Sequence, residues 1–177
     1  MATTGDDAED GWALVERARS GDRDAFGELF QRHHAAVFRV ARSRLPHSLA
    51  EDAAAETFAR AWAALPRYKR TGAPFVAWLY GIARNVANDA VRRASRTDGQ
   101  ADLEDRAHDP WVRHAEEQAL ADALAALPEE QRQVIELKYL MGLTNEEVGA
   151  VLGKKPGAVN TQQWRALQTL QRALGSR

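Results

Sequence analysis

The sequence predicts an all-α protein built as two small helical domains joined by a flexible linker, and three observations carry that reading. Apolar residues recur at helical spacing through nearly the whole chain, and no stretch alternates with the two-residue period of a half-buried strand. Between the periodic halves lies RTDGQADLEDRAHDPWVRH, a run that mixes Gly, Asp and Pro without any period. Divided in this way, 177 residues leave neither half with a large core. The expected divisions are a disordered acidic N-terminus over 1–10, a first module over 11–95, a linker over 96–116 and a second module over 117–175.

In the first module, a short helix around Trp12 to Arg19 ends at Ser20-Gly21, and Asp22 can cap a long helix through Phe26, Leu29, Phe30, Val37, Val40 and Leu45. Pro46 stops it. Ser48 can cap the next helix, which runs to Leu65 before Pro66, and PRYKRTGAP then reads as a basic loop. A long helix from Phe75 to about Arg93 completes the module. Trp111 stands out in the acidic linker, where it either docks on its own domain or anchors a partner.

The second module opens with Leu120, Leu124 and Leu127 in one apolar stripe. Pro128 starts a helix bearing Val134, Leu137 and Leu140, which Gly142 closes. Thr144 and Glu147 have the spacing of a capping box for a short helix with Val148, Val151 and Leu152, ended by Gly153. Pro156 starts the last helix, whose Val159, Leu167, Leu170 and Leu174 are expected to face inward. A short helix, a three-residue turn and a longer helix make a helix-turn-helix.

Composition removes several classes of function. With no cysteine in the chain, disulfides, thiolate metal sites and a cysteine nucleophile are excluded. The five histidines, His33, His34, His47, His108 and His114, show no ligand spacing, so no metal is expected. There is no phosphate loop, nucleophile elbow or acid–base pair, so neither catalytic residues nor a cofactor are expected. The N-terminus MATTGDDAEDG is acidic where a signal peptide would be basic and then apolar, and no run is long enough to span a membrane, so a cytoplasmic protein without membrane insertion is expected.

The net charge of −1 conceals a segregation. Residues 10–96 carry 15 bases against 9 acids, and residues 97–120 carry 7 acids against 2 bases. An acidic strap therefore joins a basic module to a near-neutral one, a pattern that meets nucleic acid locally without clinging to all of it.

Three helix faces could do chemical work. On the helix from Phe75, Arg84, Asn88 and Arg92 lie in line at i, i+4 and i+8 with Asn85 at the edge, and the preceding loop adds Arg67, Tyr68, Lys69 and Arg70. Cations beside an aromatic ring suit single-stranded nucleic acid, because rings stack on bases while cations hold the backbone. On the last helix Ala158, Thr161 and Arg165 oppose the apolar stripe, flanked by Asn160 and Gln162. These could read base edges in a major groove while Lys154, Lys155 and Arg165 hold phosphates. Gln163 falls within the apolar stripe and Trp164 nearer the outward side. On the helix after Pro46, Asp52, Glu56 and Arg60 form a row that could dock a charged coiled coil, or simply hold a Glu56–Arg60 ion pair. Asp89 is expected to pair with Arg93 or another arginine. Plain solvated faces would look much like all three rows.

These residues carry a resemblance. AEDAAAETFARAW (Ala50 to Trp62) and FVAWLYGIARNVANDAVRR (Phe75 to Arg93) resemble regions 2.2 to 2.4 of extracytoplasmic-function, group 4 sigma factors of the sigma-70 family. The stretch from Leu127 to Leu167 resembles their region 4. The resemblance implies a factor that binds core RNA polymerase, recognises minus-ten and minus-thirty-five promoter DNA and initiates transcription, with an anti-sigma factor as a candidate partner. It places Asp52, Glu56 and Arg60 on the polymerase. It gives the Arg67 to Pro74 loop with Arg84, Asn85, Asn88 and Arg92 to the minus-ten element, where a nontemplate base is flipped out. The last helix and its approach, with Lys154, Lys155, Ala158, Asn160, Thr161, Gln162 and Arg165, go to the minus-thirty-five element.

Departures from the pattern accompany the match. Ala55 stands where the family usually has glutamine, and Asn160 and Gln162 stand where basic residues are common, so the promoter sequence of a typical member does not transfer. With Leu174 so near the end, no C-terminal regulatory extension is expected. A free-standing helix-turn-helix regulator is the alternative; it would normally dimerise on a palindrome, and no spare apolar seam for a dimer is visible.

Overall fold

In the computed structural model, which describes residues 6–96 and 112–175, every regular element is helical. The helices are α1 (Asp6–Arg19), α2 (Arg23–Arg42), α3 (His47–Ala64), α4 (Phe75–Arg96), α5 (Val112–Ala125), α6 (Glu129–Ile135), α7 (Asn145–Leu152) and α8 (Pro156–Gly175). A 3-10 turn over Leu65–Arg67 follows α3, and α6 runs on into a π turn over Glu136–Leu140. The expected disordered N-terminus (apart from its last residues, which open α1) and most of the linker, Trp111 included, lie outside the described residues.

Local chemistry explains most of the helix ends. The Asp22 carboxylate accepts from the backbone N–H groups of Asp24 and Ala25, satisfying two donors that the start of α2 would otherwise leave open. These bonds, with the Arg17 guanidinium, hold the Asp22 carboxyl below its ordinary range. At α7 the capping box is complete: Thr144 accepts from the N–H of Glu147, and Glu147 accepts from the N–H of Thr144. Gly153 then ends α7 in the left-handed region at φ 64°, which costs a glycine nothing. The start of α3 differs from expectation. Pro46 stands at its N-cap without a side-chain bond and the helix begins at His47, so Ser48 is not the cap.

Two sets of helices meet in one core. In the first module, α2, α3 and α4 pack on one another around Val37, Val40, Ala54, Phe58, Ala61, Leu79 and Ala83. Against this side an aromatic group of Trp12, Tyr68, Phe75 and Trp78 closes over Leu14, Val15 and Leu65. In the second module α6, α7 and α8 bury Val134, Leu137, Met141, Leu143, Val148 and Val159, which are continuous with the first module's core. Each such valine or leucine contributes about 1.5–3 kcal/mol relative to exposure. The modules, read as separate in the sequence, are thus packed together through α2 and the π turn.

The last helix corrects one expectation. Its buried side is Val159, Ala166 and Leu170, whereas Leu167 and Leu174 are exposed. Ala166 takes the inward place because α8 lies close against α5 and α6, where a small side chain lets the backbones approach.

Candidate nucleic-acid interface

The 3-10 turn at the end of α3 sends the following loop across the start of α4, and this decides which of its residues can meet a ligand. Arg67, Lys69 and Arg70 are exposed. Tyr68 turns the other way: it is 6% exposed, with its ring 4.7 Å from Trp78, 5.7 Å from Phe75 and 6.0 Å from Trp12. Burial raises its phenol above the ordinary value, and its hydroxyl has no hydrogen-bond partner. In this arrangement Tyr68 is a core residue rather than an exposed stacking platform, and Arg70 covers Trp12 instead, 4.7 Å from the ring centre. A cleft of about 370 Å³ opens between this loop, Trp12 and His33. Burial, with the Arg32 charge, pushes the His33 imidazole below its ordinary value, so the cleft wall there is uncharged at neutral pH.

Along α4 the polar row divides. Asn85 and Arg92 are exposed. Arg92 binds Asp89, which is held below its ordinary carboxylate value by that hydrogen bond and by Arg60. Asp89 therefore pairs with Arg92 and Arg60, the latter at 3.5 Å. Arg84 and Asn88 are half-buried and already engaged. Arg84 Nε donates to Glu129 of α6 at 3.0 Å, and Asn88 Oδ1 accepts from Arg44 Nη1 at 3.0 Å.

Arg44 belongs to a cluster that helical periodicity does not reveal. Glu136 is wholly buried and the Arg44 side chain 2% exposed, yet they come from different modules. Arg44 donates to both Glu136 oxygens, at 3.1 and 2.7 Å, while Tyr80 and Ser43 hydroxyls donate to the same carboxylate at 2.8 and 2.5 Å. Burial by itself would lower the guanidinium, but the Glu136 and Glu129 carboxylates hold it well above its ordinary value. Burial and the adjoining Glu136 charge push the Tyr80 phenol upward, so it donates as a neutral group. Glu129 accepts from Arg44, Arg84, Arg132 and Gln133; although burial opposes it, the hydrogen bonds from Arg132, Gln133 and Arg44 pull its carboxyl far below the usual range. One signal was present: Glu136 stands between Ile135 and Leu137 in an apolar run, where an acid needs a partner.

The face of α3 bearing Asp52 and Glu56 is open to solvent. Asp52 is exposed, and Glu56 joins Arg60 at 2.5 Å and Arg93 of α4 at 3.5 Å. The row is thus cross-linked to α4 rather than a set of independent charges. Ala55 and Ala59 beside it are exposed and small.

On α8 the expected reading side lies outward: Ala158, Asn160, Thr161 and Arg165 are exposed, Gln162 is half-buried, and Lys154 and Lys155 flank the turn. Two contacts orient it. Asn145, at the start of α7, donates to Asn160 and, at 3.3 Å, to Gln163, which in turn donates to Tyr139 at 2.8 Å. Glu130 accepts from Lys154 at 3.3 Å and from Gln162 at 3.4 Å. Gln163 is therefore a bonded amide in the seam between α7 and α8, and Trp164 is 60% exposed beside the reading face.

A helix-turn-helix module packed on a helical module with its own basic face defines a class of two-site DNA-binding protein. Comparison with known proteins gives the family. Sigma-70 region 2 matches residues 29–97 and sigma-70 region 4 matches residues 117–170. The ECF RNA polymerase sigma factor ShbA of Streptomyces griseus is 40% identical across 89% of this chain and 92% of its own length. BldN of Streptomyces coelicolor, another ECF sigma factor, is 36% identical across 91% of this chain; here the match spans 64% of the relative. Among solved structures, CnrH in complex with the cytosolic domain of CnrY superposes with a TM-score of 0.69 at 32% identity, covering 93% of this chain and 96% of that one. RpoE of Bartonella quintana, in complex with the anti-sigma factor NepR, superposes with a TM-score of 0.67 at 28% identity over 85% and 96%. The chain belongs to the ECF group of RNA polymerase sigma factors in the sigma-70 family. Among the described residues no helix is long and apolar enough to cross a membrane.

Proposed function

We propose that this chain binds core RNA polymerase, brings it to promoters through minus-ten and minus-thirty-five contacts, and itself performs no catalysis. The observation that carries the reading is the family match of both modules, in order, along one chain. A free-standing helix-turn-helix regulator has no need of the first. In the proposed division, Asp52, Glu56 and Arg60 meet the polymerase. Arg67, Lys69, Arg70, Arg84, Asn85, Asn88 and Arg92 face the melted minus-ten strand, with Tyr68 supporting the loop from beneath. The α7–α8 unit, with Lys154, Lys155, Ala158, Asn160, Thr161, Gln162 and Arg165, enters the major groove at the minus-thirty-five element.

Work in the cytoplasm with the polymerase follows from this reading. An anti-sigma protein is a candidate partner, since the superposed RpoE is in complex with the anti-sigma factor NepR.

Each module offers DNA only a few cations, so counterion release alone gives weak binding. Core polymerase holds both modules at promoter spacing and turns two weak contacts into one avid contact. The test is a gel shift and a transcription assay with and without core polymerase. A specific, transcription-competent complex should form only when the polymerase is present. Tight sequence-specific binding by the chain alone, with no gain from polymerase, would favour the free-standing regulator.

A further inference from the structure

We propose that the seam between α2 and α5 is a binding site for a medium-chain fatty acid, whose acyl chain lies between the two helices and whose carboxylate is held by Arg39 and Arg42. None of its residues belongs to the polymerase or DNA surfaces described above.

A cavity of about 330 Å³ opens there, inside the range of about 300–1,000 Å³ over which small-molecule sites occur. Its long walls are two helix stretches of equal length, from Ala35 to Arg42 on α2 and from Glu117 to Leu124 on α5, while His47 at the start of α3 and Leu140 of the π turn complete the lining. Each stretch advances about 10 Å at 1.5 Å per residue. So small a volume drawn out over that length is a slot, which a flexible chain fills more fully than a ring system does.

The lining divides into an apolar interior and a charged rim. Its buried members are Ser43, Ala121 and Leu124, and the Ser43 hydroxyl is already turned to Glu136. The interior therefore offers a ligand no free donor, and half-buried Phe38 and Leu140 extend its apolar surface. Leu120 stands at the edge, 44% exposed, and an alkyl chain in the slot would take part of its surface out of water together with its own. Charge is confined to the outside. Arg39, His47 and Glu117 are exposed and Arg42 is half-buried. Arg42 donates to the Leu45 carbonyl at 2.8 Å and to Gln118 Oε1 at 2.6 Å, so its charge is fixed at the rim before any ligand arrives. The His47 ring stands edge-on to Phe38, 5.4 Å between centres. Arg39 and Arg42 against the single carboxylate of Glu117 leave the rim positive, which selects an anionic head group, and guanidinium–carboxylate hydrogen bonds are among the stronger ones available.

Because α2 belongs to the first module and α5 to the second, one bound acid touches both. Binding then adds to the stability of the packed chain by mass action and gives the protein a direct small-molecule input.

The test is calorimetric titration of the full chain with decanoate below its micelle concentration, with decyltrimethylammonium as the ligand of equal chain and opposite charge. Decanoate should bind saturably at one site and raise the melting temperature, and the cation should do neither. Arg39→Ala should weaken decanoate about tenfold, as the loss of a charge-assisted hydrogen bond does. Glu117→Gln, which removes the repelling carboxylate, should tighten it. Ala35→Trp should abolish binding by filling the slot from an exposed position that leaves the core intact. All three positions are exposed, so the variants should fold, and circular dichroism checks that they do. Absence of saturable decanoate binding would overturn the proposal, and so would equal binding of the two ligands. Unaltered affinity in Ala35→Trp would overturn it as well, since the chain would then lie elsewhere, as in the open groove of Phe26, Phe58 and Trp62 between α2 and α3.

Discussion

Arg44 and Glu136 lie 2.7 Å apart in the middle of the protein, 92 residues and a whole linker removed from one another in sequence, with both side chains buried. Their coupling is measurable apart from any DNA. Removing one partner of a buried, hydrogen-bonded pair costs about 3–5 kcal/mol, because the other charge stays behind. Arg44→Met or Glu136→Leu alone should therefore weaken module packing strongly, and the double variant should lose less than the sum, with a coupling of about 1–3 kcal/mol. Chemical denaturation of all four chains measures this; strict additivity would mean that the pair is incidental.

Tyr68 gives a prediction of opposite sign. Its ring is packed among Trp12, Phe75 and Trp78 while its hydroxyl is buried without a partner. An unsatisfied buried hydroxyl is a cost of about 1 kcal/mol or more. Tyr68→Phe should thus leave stability unchanged or raise it, while Tyr68→Ala should lower it by about 3–5 kcal/mol through removal of an aromatic core side chain. A clear destabilisation by Tyr68→Phe in a thermal melt would show that the hydroxyl is bonded after all.

Gly149 tests the helix-turn-helix itself. A Cβ there would come within 2.6 Å of the carbonyl oxygen of Lys154, a backbone atom that cannot swing aside. Gly149→Ala should push α7 away from the turn at a cost of about 1–3 kcal/mol, as overpacking does. The substitution should reduce minus-thirty-five binding more than core polymerase binding. Gly157→Ala, where nothing lies within 4 Å, is the matched control.

The polymerase face predicts impaired docking without unfolding. Asp52 is exposed, and Glu56 holds Arg60 and Arg93 in surface ion pairs of the kind that contribute about 0.2–1 kcal/mol. Reversing both charges, Asp52→Arg with Glu56→Arg, should leave the circular dichroism spectrum intact and abolish core polymerase binding. Unchanged holoenzyme affinity would remove these residues from the proposed interface.

Punctuation in the sequence made most helices legible. Asp22, Pro128, the Thr144–Glu147 pair, Gly153 and Pro156 each act through local backbone chemistry, which depends on neighbours a few residues away. What the sequence left open depended on distant surfaces. Leu167 and Ala166 both sit near the edge of the α8 apolar stripe, and only the close approach of α5 and α6 selects the smaller one. Tyr68, flanked by Arg67 and Lys69, reads as exposed until the 3-10 turn rotates it inward. The joint between the modules was invisible for a further reason. Periodicity shows that α2 and α6 have buried faces but not that they share one, and Arg44, placed just after a helix end, carries no periodic signal at all.

The last prediction separates the two proposed DNA surfaces and includes the residue that orients one of them. Arg84 and Asn88 lie on α4, while Gln162 and Arg165 lie on α8, so the two pairs belong to different helices and can be substituted separately. Alanine at Arg84 and Asn88 should slow strand opening at the minus-ten element, visible as weaker permanganate reactivity, with the preferred minus-thirty-five sequence unchanged. Alanine at Gln162 and Arg165 should instead alter the minus-thirty-five preference selected from a promoter library. Without the Gln162 amide, discrimination at the base it reads should fall by about 1–3 kcal/mol, and without the Arg165 charge the salt dependence should become shallower. Asn145 adds a sharper expectation. Its amide donates to Asn160 and Gln163, so the Asn160 oxygen is held toward α7 and its N–H donors are left for the groove. A donor suits the acceptor edges of guanine or thymine, whereas a free amide can also pair bidentately with adenine. Asn145→Ala should therefore broaden the preference at the base pair read by Asn160 toward adenine without changing core polymerase affinity. Identical defects from the α4 and α8 pairs would mean that the proposed division of labour is wrong, and an unchanged library profile for Asn145→Ala would leave Asn160 oriented by the DNA alone.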